Sequence, residues 1–556
     1  MMKKFLLYFH TLRHLKPRQM VFRAVRRVVK PALRRRSGPP LLRSGVCLTP
    51  VIPRIMAHTD EFTFRFLNEE RSFSPDAIDW HPAAGKLWRY NLHYFDYLRE
   101  AGRSRESVRG LVDSWIASNA PGAEDAWEPF PLSLRIVNWI KYFLTSGRKA
   151  AIPAPWLDSL HAQTFWLEQS IEYHLLANHL FKNGKALIFA GLYFAGYDAD
   201  RWLCKGLKIV GDELGEQVLP DGGHFERSPM YHAMILEDCL DLFNLCAERP
   251  ELEVGILAEQ LRGVIPRMLR FLLGMTHPDG EIALFNDAAF GIEPSPSLLA
   301  EYWSQLAGVR CVGPRGPAWA FPESGFFVLS PREGDRLIVD CGPVGPDYQP
   351  GHAHCDLLSF ELSLGGRRVI VDSGCGQYLA GELRSYQRGN AGHNTVTVDG
   401  LDQSEVWGAH RCARRAEPLS ASLECLADGA LRFSGGHDGY RRLPGSPLHR
   451  RAITWQGTTI LVEDEVTGSG RHLLESRLHL HPDCQLIEHG DLFTISLDGF
   501  IVARISQIGS GSLAVREGWY APEFGICHPC QVITTVASDA DLPYKTGWIM
   551  DLTEVS

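Results

Sequence analysis

No stretch of this chain reaches the roughly eighteen consecutive apolar residues that a membrane-spanning helix needs. Positive charge is not in excess either. The 57 Lys and Arg stand against 65 Asp and Glu, a net charge of -8, which argues against a general nucleic-acid binder but allows a locally basic cleft. The 13 cysteines are scattered and odd in number, a poor basis for a disulfide framework. Cys527-His528-Pro529-Cys530 is a lone CxxC with no second pair for zinc and no βαβ context, and is read as incidental. No fixed repeat is visible, which argues against a regular solenoid. One shortage is local: from Lys3 to Arg54 there are fourteen Lys or Arg and no Asp or Glu.

What is present is the composition of a globular protein, 45% hydrophobic and 22% charged, at 556 residues long enough for two or three domains. Met1-Met2-Lys3-Lys4 before Phe5–Phe9 resembles the start of a signal peptide, but the apolar run breaks at His10 and no small-residue cleavage site follows. The sequence by itself therefore points to the cytoplasm or a membrane surface. Phe22 to Lys30 can form a basic amphipathic helix. Residues 1–45 are read either as a peripheral contact to an anionic membrane or acidic partner, or as an arm packed on the main body.

From Trp88 the apolar spacing turns helical for some 220 residues. The pattern predicts helices near 91–101, 105–118, 131–146, 155–176, 179–195, 199–217, 229–247, 251–274 and 296–307. Gly313-Pro314-Arg315-Gly316-Pro317 ends that regime, and short alternating runs with turn signals follow, as in an antiparallel sandwich. Leu362–Arg368 reads as a two-residue hairpin on Gly365-Gly366. The fold class is α+β in separate layers, with domains expected at 1–84, 85–312 and 313–556.

Polar residues collect at a few places. Ala177-Asn178-His179 lies near a helix junction, and Asp221 to His232 packs six polar or ionisable side chains around a turn. There Ser228 suits an N-cap and Pro229 the first helical position, which puts Tyr231 and His232 in the first turn. Trp127, with Trp80, Trp88, Tyr90 and Tyr94 upstream, could stack on sugar rings or pack in the core. Gly351 to Gly400 holds His352, His354, Asp356, Asp372 and His393 among glycines, a composition suited to proton transfer or metal binding.

Asn178-His179, Ser228-Pro229-x-Tyr231-His232, His352-x-His354 and His393-Asn394-Thr395-Val396, in that order over residues 85 to 540, resemble the heparinase II/III-like polysaccharide lyases and related alginate lyases. The resemblance implies an incomplete (α/α) toroid followed by an antiparallel β-sandwich, an acidic polysaccharide substrate cut by β-elimination, and a periplasmic or cell-envelope location. It further implies that Asn178 and His179 neutralise the uronate carboxylate, that Tyr231 protonates O4, and that His352 is the opposing base. Glu226, Arg227, His232 and Trp127 are the substrate-binding candidates. Arg227, His232 and His352 are also candidate sources of charge that would depress the Tyr231 phenol. One zinc ion per chain is expected on His354, Asp372 and His393. A regular hairpin would put Asp372 about 16 Å from His354 at ~3.3 Å per residue. A shared metal thus needs a loop that folds back, a bulge, or Asp356 in its place. Two alternatives stand: a glycoside hydrolase using Glu128, Asp221, Glu226 or Asp287, and a non-catalytic or biosynthetic polysaccharide-binding protein. Oligomeric state and the identity of the uronate are open.

Overall fold

The structure is a computed structural model that describes residues 2–34, 38–49, 62–74, 77–100, 103–145, 151–247, 249 and 253–553. Two helices, α1 (Met2–Leu12) and α2 (Pro17–Val28), open the chain. No described helix is long and apolar enough to cross a membrane. The helical domain follows as α3 (Lys86–Tyr94), α4 (Arg105–Ser118), α5 (Pro129–Thr145), α6 (Ala154–Gln169), α7 (Ala177–Tyr193), α8 (Tyr197–Gln217), α9 (Pro229–Cys246), α10 (Val254–Gly274) and α11 (Pro296–Ala307). The first predicted helix lies several residues earlier than expected, because Phe95 adopts φ 60° and ends α3. Likewise α6 stops at Gln169, and a turn-rich loop carries the chain to α7.

Helices α5, α7 and α9 are buried on nearly every face, as expected for the inner members of a layered array. Close approach of α7 to α8 depends on glycine. A Cβ on Gly206 would lie 2.8 Å from the Gly184 carbonyl oxygen.

Among its described residues the second domain contains antiparallel sheets of five, eight and four strands and a small two-stranded one, Val406–Trp407 with Arg411–Cys412. Five strands run in chain order, Ala318–Phe321, Phe326–Leu329, Arg336–Asp340, Phe360–Leu364 and Arg367–Ile370. The hairpin on Gly365 and Gly366 forms as the sequence predicts, with φ 55° and 86°. An eight-stranded sheet packs across from it, and Phe327, Val339, Phe360, Phe433, Ile453 and Trp548 share one core. A four-stranded sheet pairs Val396–Val398, Arg471–His479, His528–Asp541 and Ser512–Tyr520. Strands of the eight-stranded sheet alternate buried and partly exposed residues, whereas Phe326–Leu329 and Phe360–Leu364 are buried throughout. The other face of the five-stranded sheet meets the helical domain, where Phe271 of α10 and Met275 just after it pack with Phe326 and Ile338. The two domains are thus joined along an extended seam.

Candidate active site

Several of the polar residues singled out in the sequence meet on that seam. The loop before α7 sets the first of them. Leu176 has φ 68° and ψ -156°, and Ala177 has φ 52°. Each such non-glycine residue costs about 1–3 kcal/mol and persists only where the surroundings impose it. Asn178 therefore enters the first turn of α7 with its side chain buried, and Nδ2 donates to both oxygens of Glu226 at 3.2 and 3.4 Å. His179 keeps 28% of its side chain exposed and places Nδ1 3.2 Å from Glu172. Asn183 secures Glu172 by donating to it and by accepting from its backbone N–H. Burial opposes charge on His179, but the Glu172 carboxylate outweighs it and raises the imidazole pKa.

Tyr231 stands where the Ser228 cap predicts, with the Ser228 hydroxyl accepting from its backbone N–H at 3.3 Å. Its ring lies on that of His352, centroids 3.9 Å apart and planes at 31°. No sugar fits between rings so close, so Tyr231 and His352 do not face each other across a sugar. The phenol hydrogen-bonds the Tyr378 hydroxyl at 2.9 Å. Burial, and the nearby Asp287 carboxylate, hold its pKa well above the usual phenol value.

Asp287 organises the rest. His352 Nδ1 is 3.0 Å from one of its oxygens and His354 Nε2 is 2.8 Å from the other. Arg384, in a short helix α12 (Glu382–Arg388), grips both oxygens. Although burial would raise it, these three partners hold the Asp287 carboxyl well below its ordinary range. The other imidazole nitrogen of His352 lies 3.5 Å from Glu226, which links the Asp287 group to Asn178. Burial raises the Glu226 pKa against the opposing pull of His352 and Asn178.

Three proposed substrate contacts lie elsewhere. Arg227, at φ 57°, turns away and donates to the carbonyls of Phe225, Glu323 and Ser324, joining the two domains. His232 bonds the Met268 carbonyl inside the helical core, where burial pushes its pKa down to about 4. It is neutral, so neither residue sits as a cation against Tyr231. Trp127 stacks on Trp115 and donates to the Asn119 carbonyl, a core residue 5% exposed. Helical phase turned His232 inward, and the turn ahead of α5 did the same for Trp127. Of the hydrolase carboxylates, Glu128 is held by Lys86 and Tyr90, Asp221 by Ser324, and Asp287 by Arg384.

The His354 group is assembled by folding back. The chain returns through Asp356–Ser359, and the hairpin register shifts between Leu362 and Ser363. The rings of His354 and His393 come within 5.4 Å. Asp372 sits 2.7 Å from His393 Nδ1. His354 Nδ1 and His393 Nε2 are buried without a hydrogen-bond partner. Among the described residues no three His, Cys, Asp or Glu side chains already converge as a metal-ligand set.

Glu172, Tyr378, Arg384 and His410, which packs edge-on to Tyr378 at 5.3 Å, were not singled out from the sequence. Asp287 was considered only as a hydrolase acid. Tyr378 and Arg384 meet Tyr231 and Asp287 at long sequence separation, while Glu172 reaches His179 across a loop whose path no local pattern shows.

Two family models match in succession, "Heparinase II/III N-terminus" over residues 61–303 and "Heparinase II/III-like, C-terminal" over 313–548. A heparin-sulfate lyase of Bacteroides stercoris is 27% identical over 379 residues, covering 59% of this chain and 54% of the lyase. The chain thus spans about half the length of that relative. FtsZ-localized protein C of Caulobacter vibrioides is 25% identical over 427 residues, 71% of this chain and 69% of that protein. Among solved structures, that of a heparinase III superposes with a TM-score of 0.67 at 17% identity, over 85% of this chain and 79% of the other, and has the same fold.

Proposed function

This chain belongs to the heparinase II/III-like family, and we propose that it is a lyase cleaving a uronic-acid-containing polysaccharide by β-elimination. The observation that carries this reading is the Tyr231–His352 pair, 3.9 Å between ring centroids, with His352 bridged to Asn178 through Glu226. The C5 proton of a uronate is too weak an acid to leave while its carboxylate is fully charged. Donation from Asn178 and His179 stabilises the enolate-like charge that builds up.

His352, with Nδ1 held by Asp287, offers its other nitrogen as base. The C5–H electron pair forms the C4–C5 double bond, the C4–O4 bond breaks, and the departing O4 takes the Tyr231 proton. Side-by-side placement of acid and base favours removal and delivery on one face of the sugar. Purified protein incubated with alginate, glycosaminoglycans and bacterial uronate polymers should yield a 4,5-unsaturated product absorbing in the ultraviolet. Saturated products would indicate hydrolysis. A relative named for localisation with FtsZ favours a second reading, a binding protein that keeps the cleft and yields no product.

A zinc ion is part of the proposal. The two unpartnered imidazole nitrogens of His354 and His393 support it, since a buried acceptor left unpaired costs about 1–3 kcal/mol. Asp372 could orient His393 or ligate directly, and the ion would brace the His352 loop. Elemental analysis should find one zinc per chain, lost in His354→Ala, with chelation lowering the melting temperature.

Peripheral membrane contact is proposed for the basic arm. Its outward residues Phe5, Phe9, Met20, Val21 and Val28 are more than half exposed, among uncompensated Lys and Arg. Sedimentation with anionic vesicles should be salt-sensitive and vanish when the arm is removed.

A further inference from the structure

The N-terminal helices carry a second inference, which rests on the cleft being the site of an acidic polymer. Both α1 and α2 lie outside the residues that either family model matches, yet they bridge the two lips of the cleft. On the sandwich side, Tyr8 packs edge-on to Trp407 at 4.9 Å, and Lys16 stands 3.8 Å over the ring of Tyr348. On the helical side, Phe22 packs on Tyr173 at 4.8 Å, and Arg26 lies 3.0 Å from His174 Nε2. Gln19 sits between these walls with no exposed surface, donating to the Tyr348 carbonyl at 3.2 Å and the Leu175 carbonyl at 3.5 Å.

These contacts adjoin the chemistry. Tyr173, His174 and Leu175 belong to the loop that delivers Asn178, and Tyr348 lies just ahead of His352. The Arg26 charge reaches His179. A polymer threading the cleft must pass between the two walls, and a buried side chain bonded to both leaves no space for a sugar ring. The opposite side is built differently. There His179 stays partly exposed against a partly exposed Phe130, ring centroids 4.6 Å apart, and Tyr90 is also partly exposed.

We propose that the α1–α2 pair stops one end of the cleft, so that this protein takes its polymer by a chain end and releases short products. Arg26 gives the closed end a positive charge suited to the acidic terminal sugars. Chain-end binding and groove binding differ in stoichiometry. An end binder loads one protein per chain whatever the length, while a groove binder loads in proportion to length.

The test uses the Tyr231→Phe protein, which should leave the polymer intact. It is saturated onto short and tenfold longer fractions of heparan sulfate, hyaluronan and alginate. Constant loading per chain is expected. Removal of residues 2–30 should make loading rise several-fold with length. If that protein does not fold, Gln19→Ala combined with Phe22→Ala loosens the arm without touching Asn178, Tyr231 or His352 and should have the same effect. Loading that already scales with length in the intact protein overturns the proposal. So does a folded, loosened variant that still binds only ends. Binding of none of the polymers overturns the substrate reading beneath it. Polymer bound by ends but giving no unsaturated product from the wild-type protein counts against the lyase chemistry alone.

Discussion

Two clusters of buried charge, one inside the helical domain and one on the domain seam, are both built around buried aspartates and do different work. In the first, Lys182 and Lys185 of α7 meet Asp238 and Asp241 of α9. Lys182 and Lys185 lie 2.9 and 2.7 Å from Asp238, Lys185 lies 2.5 Å from Asp241, and Lys141 of α5 closes on Asp241 as well. Both pairs are spaced i, i+3 on helices, so each pair shares a face. Burial pushes Lys141 down to about 7 against the pull of Asp241. No cleft residue touches this cluster. In the second, Asp287 holds His352, His354 and Arg384, all from loops or from the short α12, and Tyr231 stacks on His352. The first cluster joins charges so that three helices can approach. The second gathers imidazoles and a guanidinium from distant loops onto one carboxylate at the domain seam.

The largest effect should come from Asp287→Ala. It strands Arg384 as an unpaired buried charge, worth about 3–5 kcal/mol of stability, and it frees His352 to rotate. Denaturant unfolding and turnover should both fall sharply. A variant that loses only stability would move Asp287 into the structural class and break the contrast.

Lys185→Met should cost a similar ~3–5 kcal/mol by leaving Asp238 and Asp241 short of a partner. Turnover per folded molecule should not change. Lost turnover in a protein shown to be folded would mean that the helical cluster tunes the site after all.

Tyr231→Phe sharpens the comparison from the other side. Unfolding free energy should be preserved, because the ring still packs on His352. Turnover should fall by roughly 10²-fold or more, about 2.7 kcal/mol of barrier. His352→Ala should be equally severe if the imidazole removes the C5 proton. Near wild-type formation of unsaturated product by Tyr231→Phe would refute the assignment.

The smallest effect concerns pH. The raised pKa of His179 contributes stability that is present below the ordinary 6.5 and lost as pH rises through the raised value. Glu172 is held below its ordinary 4.5 by His179 and Asn183 against burial, so its contribution is present above 4.5 and lost as pH falls through the lowered value. Glu226, His174 and Arg26 also face this pair. The difference in melting temperature between wild type and Glu172→Gln should therefore be greatest between pH 4.5 and 6.5. A difference that is flat across that window would show that the pair is not charged in the fold.

Much of this molecule can be read locally. The helices announce themselves by apolar period and by Ser-Pro starts, and the Gly365-Gly366 turn by its positive φ. The Ser228 cap predicts the position of Tyr231, one helical turn from a chain reversal. All of these depend on neighbours a few residues apart, which is the range over which backbone preference acts. Tertiary structure decided the rest. Asp287 meets Arg384 across 97 residues and His352 across 65, and no local pattern encodes such a meeting. Trp127 and His232 are residue types that suit substrate contacts, yet the turn before α5 and the rotational phase of α9 point them into the core. The same holds for the arm. Its basic, apolar composition is plain in the sequence, but only the seating of Gln19 between Leu175 and Tyr348 makes it a wall of the cleft. Local sequence sets which elements form and which faces are apolar, and the loops that bring distant side chains together are held by packing between whole domains.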